Sequence, residues 1–166
     1  MTKGRRSSII WTPGDPVEKT DFSFVSWVTP EIAICSYDVA SNEEVLDIEG
    51  IRTLISIGGM SPSCASSSIK HVEFPLIEDA TMDISEHDAK RVVMAMGEGS
   101  ANGKTLVHCA AGVSRSPGFV TLFLAVSKNI SWDESKEIVL RGRPQMKMHP
   151  LTESRLRQIL EKWRSV

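Results

Sequence analysis

Apolar residues along this 166-residue chain recur in two rhythms, short β-branched runs and longer stretches of helical spacing. Ile51-Arg52-Thr53-Leu54-Ile55-Ser56-Ile57 is nearly continuous in apolar side chains and ends at Gly58-Gly59, which predicts a buried strand. Thr105-Leu106-Val107, after the Asn102-Gly103 turn, predicts another, and His71-Val72-Glu73-Phe74 alternates as a short strand should. Between and after these lie helices. Ser41 to Leu46 opens with a capping residue and stops at Gly50. Ala89, Val92, Val93 and Met96 share one face of a helix beginning near Ile84, and Leu156, Ile159, Leu160 and Trp163 share one face of a last helix that Pro150 can open. Ser131-Trp132-Asp133-Glu134 is a capping box for a helix through Leu140. Pro117 to Val126 is apolar almost all round, the mark of a buried central helix. Strands alternating with helices predict an α/β fold, a central, mostly parallel sheet flanked by helices on both faces. Residues 1–20 show no periodicity and are read as a mobile N-terminal arm, with Ile9-Ile10-Trp11 its packing segment; residues 21–166 are read as a single domain.

Composition narrows the class. A hydrophobic content of 41% can fill a one-domain core, and a net charge of −2 with no dominant basic run argues against nucleic acid or an anionic membrane as partner. No stretch approaches the eighteen apolar residues of a membrane span, and Met1-Thr2-Lys3-Gly4-Arg5-Arg6 leads into no signal-peptide segment, so a cytoplasmic protein is expected. Three cysteines without a pairing pattern fit a reducing compartment. Histidines 71, 87, 108 and 149 form no metal-ligand spacing, and no metal or cofactor is expected. Met94, Met96, Met146 and Met148 are read as gap-fillers rather than ligands.

The chemistry concentrates in Val107-His108-Cys109-Ala110-Ala111-Gly112-Val113-Ser114-Arg115-Ser116-Pro117. A cysteine six residues before an arginine has about a one in five chance of arising by accident here; adding the preceding histidine and the glycine three residues on lowers that to about 3 in 10,000. The run follows a predicted strand and precedes a predicted helix, so the free N–H groups and positive end of that helix face the loop. Amides of Ala110, Ala111, Gly112, Val113 and Ser114 would add to that field, with Gly112 permitting the close turn. Such a loop suits an oxyanion held over a thiolate. Cys109 is the candidate nucleophile, Arg115 a planar fork for two phosphate oxygens, and Ser116 a hydrogen-bond donor to the departing sulfur. His108 either orients and polarises the loop or is a buried, hydrogen-bonded histidine of the core.

The motif His-Cys-x-x-Gly-x-Ser-Arg-Ser resembles the signature loop of the dual-specificity branch of the cysteine-based protein tyrosine phosphatases. Val28-Thr29-Pro30-Glu31-Ile32-Ala33-Ile34 resembles the family's first core strand, Ile51–Ile57 its next parallel strand, and Phe74-Pro75-Leu76-Ile77-Glu78-Asp79 the segment leading into its acid loop. The similarity covers residues 27 to 160. It implies a protein-tyrosine-phosphatase-like fold and a general acid about thirty residues before the nucleophile. Asp79 fits, with Glu78 and Asp83 as rivals; Asp83 has the alternative of starting the next helix. Arg141-Gly142-Arg143-Pro144 resembles the segment before the family's final helices, but Gln145-Met146-Lys147-Met148-His149-Pro150 departs from its usual Pro-Asn pair. Arg143 is open to two readings, a second phosphate site or packing and salt-bridging near a helix end.

The expected activity is hydrolysis of phosphotyrosine, and of phosphoserine and phosphothreonine, in protein substrates through a phosphocysteine. Uncharged Ala110, Ala111 and Val113 favour phosphoproteins over polyanionic lipids. A catalytically weak phosphate-reading module, a phosphatase for non-protein monoesters, and a thiolate enzyme such as a sulfurtransferase or arsenate reductase are the alternatives. The Ser61–Ser68 loop could line the substrate approach, and Cys64 or Cys35 could resolve an oxidised Cys109. Nothing in the pattern requires an oligomer, and a monomer is favoured.

Overall fold

The computed structural model describes residues 25–63 and 66–166; the expected arm over residues 1–20 and Cys64 lie outside them. Five strands, β1 (Ser26–Trp27), β2 (Ile32–Cys35), β3 (Ile51–Ile57), β4 (Lys70–Phe74) and β5 (Lys104–His108), form one sheet in the order β1-β2-β5-β3-β4. The β2-β5, β5-β3 and β3-β4 pairings are parallel, and β1 pairs antiparallel with β2 at one edge. The expected mostly parallel α/β sheet is therefore present.

The expected strand over Val28–Ile34 is a turn followed by β2. Val28–Ile34 does not run straight: Pro30 cannot donate to a ladder, and the Thr29 hydroxyl accepts the N–H groups of Glu31 at 3.2 Å and Ile32 at 3.0 Å. The chain turns there, and Val28 N–H donates to Ile32 C=O at 2.9 Å, closing a β1-β2 hairpin.

Alternation along the central strands divides the core. Ile32, Ile34, Ile55, Ile57 and Val107 face one layer, with α3 (Glu86–Asn102), α4 (Arg115–Lys128), α5 (Trp132–Gly142) and α6 (Pro150–Arg164). Ala33, Cys35, Leu54 and Leu106 face the other, with α1 (Tyr37–Ala40) and α2 (Glu43–Glu49). The short α1 has no apolar period to announce it; Ser36 caps it, accepting from Val39 N–H. Helix α3 starts two residues past the expected Ile84, because the hydroxyl of Ser85 caps it by accepting from Asp88 N–H. Helix α4 begins two residues before Pro117, which sits in the first turn where a missing N–H costs nothing. Its residues Phe119, Val120, Leu122 and Ala125 are fully buried, so the helix behind the loop is anchored in the core.

Candidate active site

Strand β5 ends at His108, and residues 109–114 cross from its C-terminal end to the start of α4. Every carbonyl of that crossing is held from outside. Cys109 C=O accepts from His108 Nδ1 at 2.8 Å, Ala110 C=O from Tyr37 N–H at 2.8 Å, and Ala111 C=O from Arg143 Nη2 at 3.4 Å. Gly112 C=O accepts from Arg143 Nε at 2.6 Å, Val113 C=O from Lys147 N–H at 2.7 Å, and Ser114 C=O from Gly118 N–H at 2.9 Å. With the carbonyls engaged away from the loop, its amides are left to face the space over Cys109, an arrangement that can serve as an anion-binding nest, while in the first turn of α4 Ser116 N–H is directed at Sγ and Pro117 has no N–H. Gly112 sits at φ 73°, and a Cβ there would lie 2.5 Å from Cys35 C=O, so glycine is required twice over.

Cys109 is buried at the floor of the nest. Ser116 stands beside it, its N–H donating to Sγ at 3.4 Å and its hydroxyl 3.2 Å from Sγ. Both groups can stabilise negative charge on sulfur. Arg115, the first residue of α4, donates from Nη1 to Ile77 C=O at 3.3 Å, which ties its guanidinium to the segment that carries Asp79. Gly58, at the end of β3, makes room for it: a Cβ on Gly58 would lie 2.2 Å from Arg115 Nη1.

His108 is fully buried, and its protonation follows from its partners. Cys109 C=O can only accept, so Nδ1 carries the proton; Nε2 then accepts from the Ser56 hydroxyl at 2.6 Å, and Ser56 Oγ in turn accepts from His71 Nε2 at 2.8 Å. Burial, and then the positive charges of His71 and Arg115, lower the imidazole pKa despite the opposing bond to Cys109 C=O. A pH dependence of stability follows. An imidazole kept neutral in the fold contributes stability that is present above the ordinary value of 6.5 and is lost as pH falls below it, because the unfolded chain then takes up a proton that the fold resists. The urea midpoint is expected to fall on acidification through that value, and His108→Asn, which keeps a donor near Cys109 C=O and removes the titrating ring, should flatten this limb.

Asp79 Oδ1 accepts from the Ser114 hydroxyl at 2.7 Å and from the Thr152 hydroxyl at 2.5 Å. Partial burial pushes the Asp79 carboxyl upward, but donation from Thr152 and Ser114, the Ala80 amide and the charge of Arg115 outweigh it and hold the group below the ordinary carboxylate range. Glu78 and Asp83 are exposed, and among the described residues neither carboxylate bonds to the loop. Asp83 does not cap α3, a role Ser85 fills.

Arg143 follows the packing reading, buried at the C-terminal end of α5, but among the described residues it forms no salt bridge. It is 5% exposed, and besides Ala111 and Gly112 its guanidinium reaches the Ser26 hydroxyl at 2.9 Å and Ile34 C=O at 3.5 Å. It buttresses the loop from behind, bonded to neutral acceptors. Cys35, also buried, has its thiol pKa pushed far up by burial, which leaves it a poor nucleophile. Residues that the sequence pattern did not single out are Ser56, His71 and Thr152. Ser56 and Thr152 each leave a trace, as a fully buried polar residue within an otherwise apolar strand or core stripe.

A thiol in an amide nest at the end of a central parallel strand, with an arginine opening the next helix, is the architecture of the cysteine-based phosphatases. The family model for the dual specificity phosphatase catalytic domain matches residues 32–163, and the chain belongs to that family. Human dual specificity protein phosphatase 1 is 26% identical over 137 residues, 82% of this chain and 35% of that protein. A Dictyostelium discoideum MAP kinase phosphatase with leucine-rich repeats is 30% identical over 130 residues, 77% of this chain and 15% of the relative. The match thus spans about a third or less of these relatives' lengths. A crystal structure of a mouse dual specificity phosphatase complexed with zinc tungstate superposes with a TM-score of 0.77 at 19% identity, covering 96% of each chain.

Proposed function

We propose that residues 21–166 form one catalytic domain that hydrolyses phosphomonoesters of proteins, phosphotyrosine together with phosphoserine and phosphothreonine. The observation that carries this reading is the loop whose six carbonyls all point outward around the Cys109 thiol. The amides and the Arg115 fork bind the three non-bridging phosphoryl oxygens, and the Cys109 thiolate attacks phosphorus in line with the leaving oxygen. As the S–P bond forms and the P–O bond to the substrate breaks, Asp79 gives its proton to the departing oxygen. Water then attacks the phosphocysteine, Asp79 takes its proton, and the S–P bond breaks to return the thiolate, which Ser116 receives through its N–H and hydroxyl.

A low Asp79 pKa is compatible with this role. The charge of a bound phosphoryl dianion opposes ionisation of a carboxylate beside it, so the substrate itself raises the pKa of its own acid. The loop has no charged side chain between Cys109 and Arg115, which favours a phosphorylated protein over a polyanionic lipid. Asp79→Asn is the test of the acid. It is expected to slow phosphate release from phenyl phosphate by about 100-fold, the lower range of general-acid contributions, while barely affecting an ester whose phenoxide leaves unprotonated. An equal loss on both esters, or none, would transfer the role to Asp83 or Glu78.

A further inference from the structure

We propose that Thr152, in the first turn of α6, is the positioning residue that assigns the two oxygens of Asp79 their parts in proton transfer; this rests on reading Asp79 as the general acid. Thr152 is fully buried, and its hydroxyl is used twice, accepting the Ala80 N–H at 2.9 Å and donating its single proton to Asp79 Oδ1 at 2.5 Å. Ser114 repeats the pattern from the phosphate loop, accepting the His149 N–H at 2.9 Å and donating to the same Oδ1 at 2.7 Å. An oxygen that already receives two protons cannot carry a third. The proton delivered to the leaving group therefore rides on Oδ2, and Oδ1 is the fixed end about which the carboxyl is aimed.

A second feature points the same way. Ala80, next in the chain, has φ 56°, in the left-handed region that non-glycine residues avoid, and its N–H is the one that Thr152 accepts. One hydroxyl on α6 thus holds both the carboxyl of Asp79 and the unfavourable turn that presents it. Acid loop, phosphate loop and last helix meet at a single carboxylate oxygen. Arg115 from α4 is the charged group acting on Asp79. Glu78 in the same loop is exposed, and His149 before α6 has Nδ1 occupied by Leu151 N–H at 3.1 Å.

The test compares Thr152→Val, which keeps the shape and removes the hydroxyl, with Thr152→Ser, which keeps the hydroxyl, and with Asp79→Asn. Each is assayed on phenyl phosphate and on 2,4-dinitrophenyl phosphate across pH. Thr152→Val is expected to lower kcat on phenyl phosphate about tenfold, to change it less than about twofold on the dinitrophenyl ester, and to move the alkaline limb to higher pH, because a donor to the ionised carboxylate is gone. Thr152→Ser should restore all three. Equal losses on both esters, or an unmoved alkaline limb, would overturn the proposal even where Asp79→Asn shows the leaving-group dependence of a general acid. If Asp79→Asn shows no such dependence, the assignment of Asp79 falls, and Thr152 falls with it.

Discussion

Cys109→Ser is expected to reduce phosphate release from any aryl phosphate or phosphopeptide by at least about 10⁴-fold, because a hydroxyl in place of the thiolate is neither ionised at neutral pH nor a comparable nucleophile. Among the described residues, Cys35 is buried beneath the loop with a strongly raised pKa and Ser116 lies beside the sulfur, so neither is placed to take over. Oxygen for sulfur is nearly isosteric, and the outward bonds of the six loop carbonyls do not involve Sγ, so the nest survives. Phosphopeptide binding should therefore persist while turnover disappears, and the urea midpoint should shift by no more than about 1 kcal/mol of stability. Titration with a phosphotyrosine peptide alongside the phosphate-release assay separates the two effects. Substantial turnover in this variant would refute the phosphocysteine route.

Arg143→Met is expected to be the most damaging change outside the reacting groups, lowering stability by about 3 kcal/mol and phosphatase turnover by about 100-fold. The arginine is nine-tenths or more buried and donates to Ala111 and Gly112 of the loop, to Ile34 of β2 and to Ser26 of β1. Methionine replaces the volume of the stem and removes the donor to the Ala111 and Gly112 carbonyls in a place water does not readily reach. The loop carbonyls at Ala111 and Gly112 would then be free to rotate inward, which would put negative dipoles where the phosphoryl oxygens must sit. Arg143→Lys should rescue little, since one ammonium cannot reproduce a rigid fork that donates in several directions. Chemical denaturation followed by tryptophan fluorescence, and kcat on an aryl phosphate, measure the two effects. A fully active and stable Arg143→Met protein would show that the loop holds its shape without this buttress.

Much of the fold was legible because its signals are local. The span of β3 was marked by an apolar run ending at two glycines, and the capping hydroxyl of Ser131 opens α5 where expected, accepting from Glu134 N–H at 3.1 Å. The β1-β2 hairpin leaves no clear sequence signal, because one turn, around Pro30, interrupts an otherwise strand-like composition. Helix α1 is silent in the sequence because four residues are too few for a helical period to appear.

The sequence by itself determined the order of the longer strands and helices, the mostly parallel character of the sheet, and the chemical identity of the loop, since each is signalled by residues within about a dozen positions of one another. Which partners Asp79, Thr152, Arg143 and His71 bond to was decided by the tertiary structure alone. Thr152 meets Asp79 across 73 positions, Arg143 meets Ile34 across 109, and Ser56 joins His108 across 52. Hydrogen bonds act over about 3 Å and carry no period along the chain, so a lone buried hydroxyl or guanidinium shows its role once packing has brought its partner within reach.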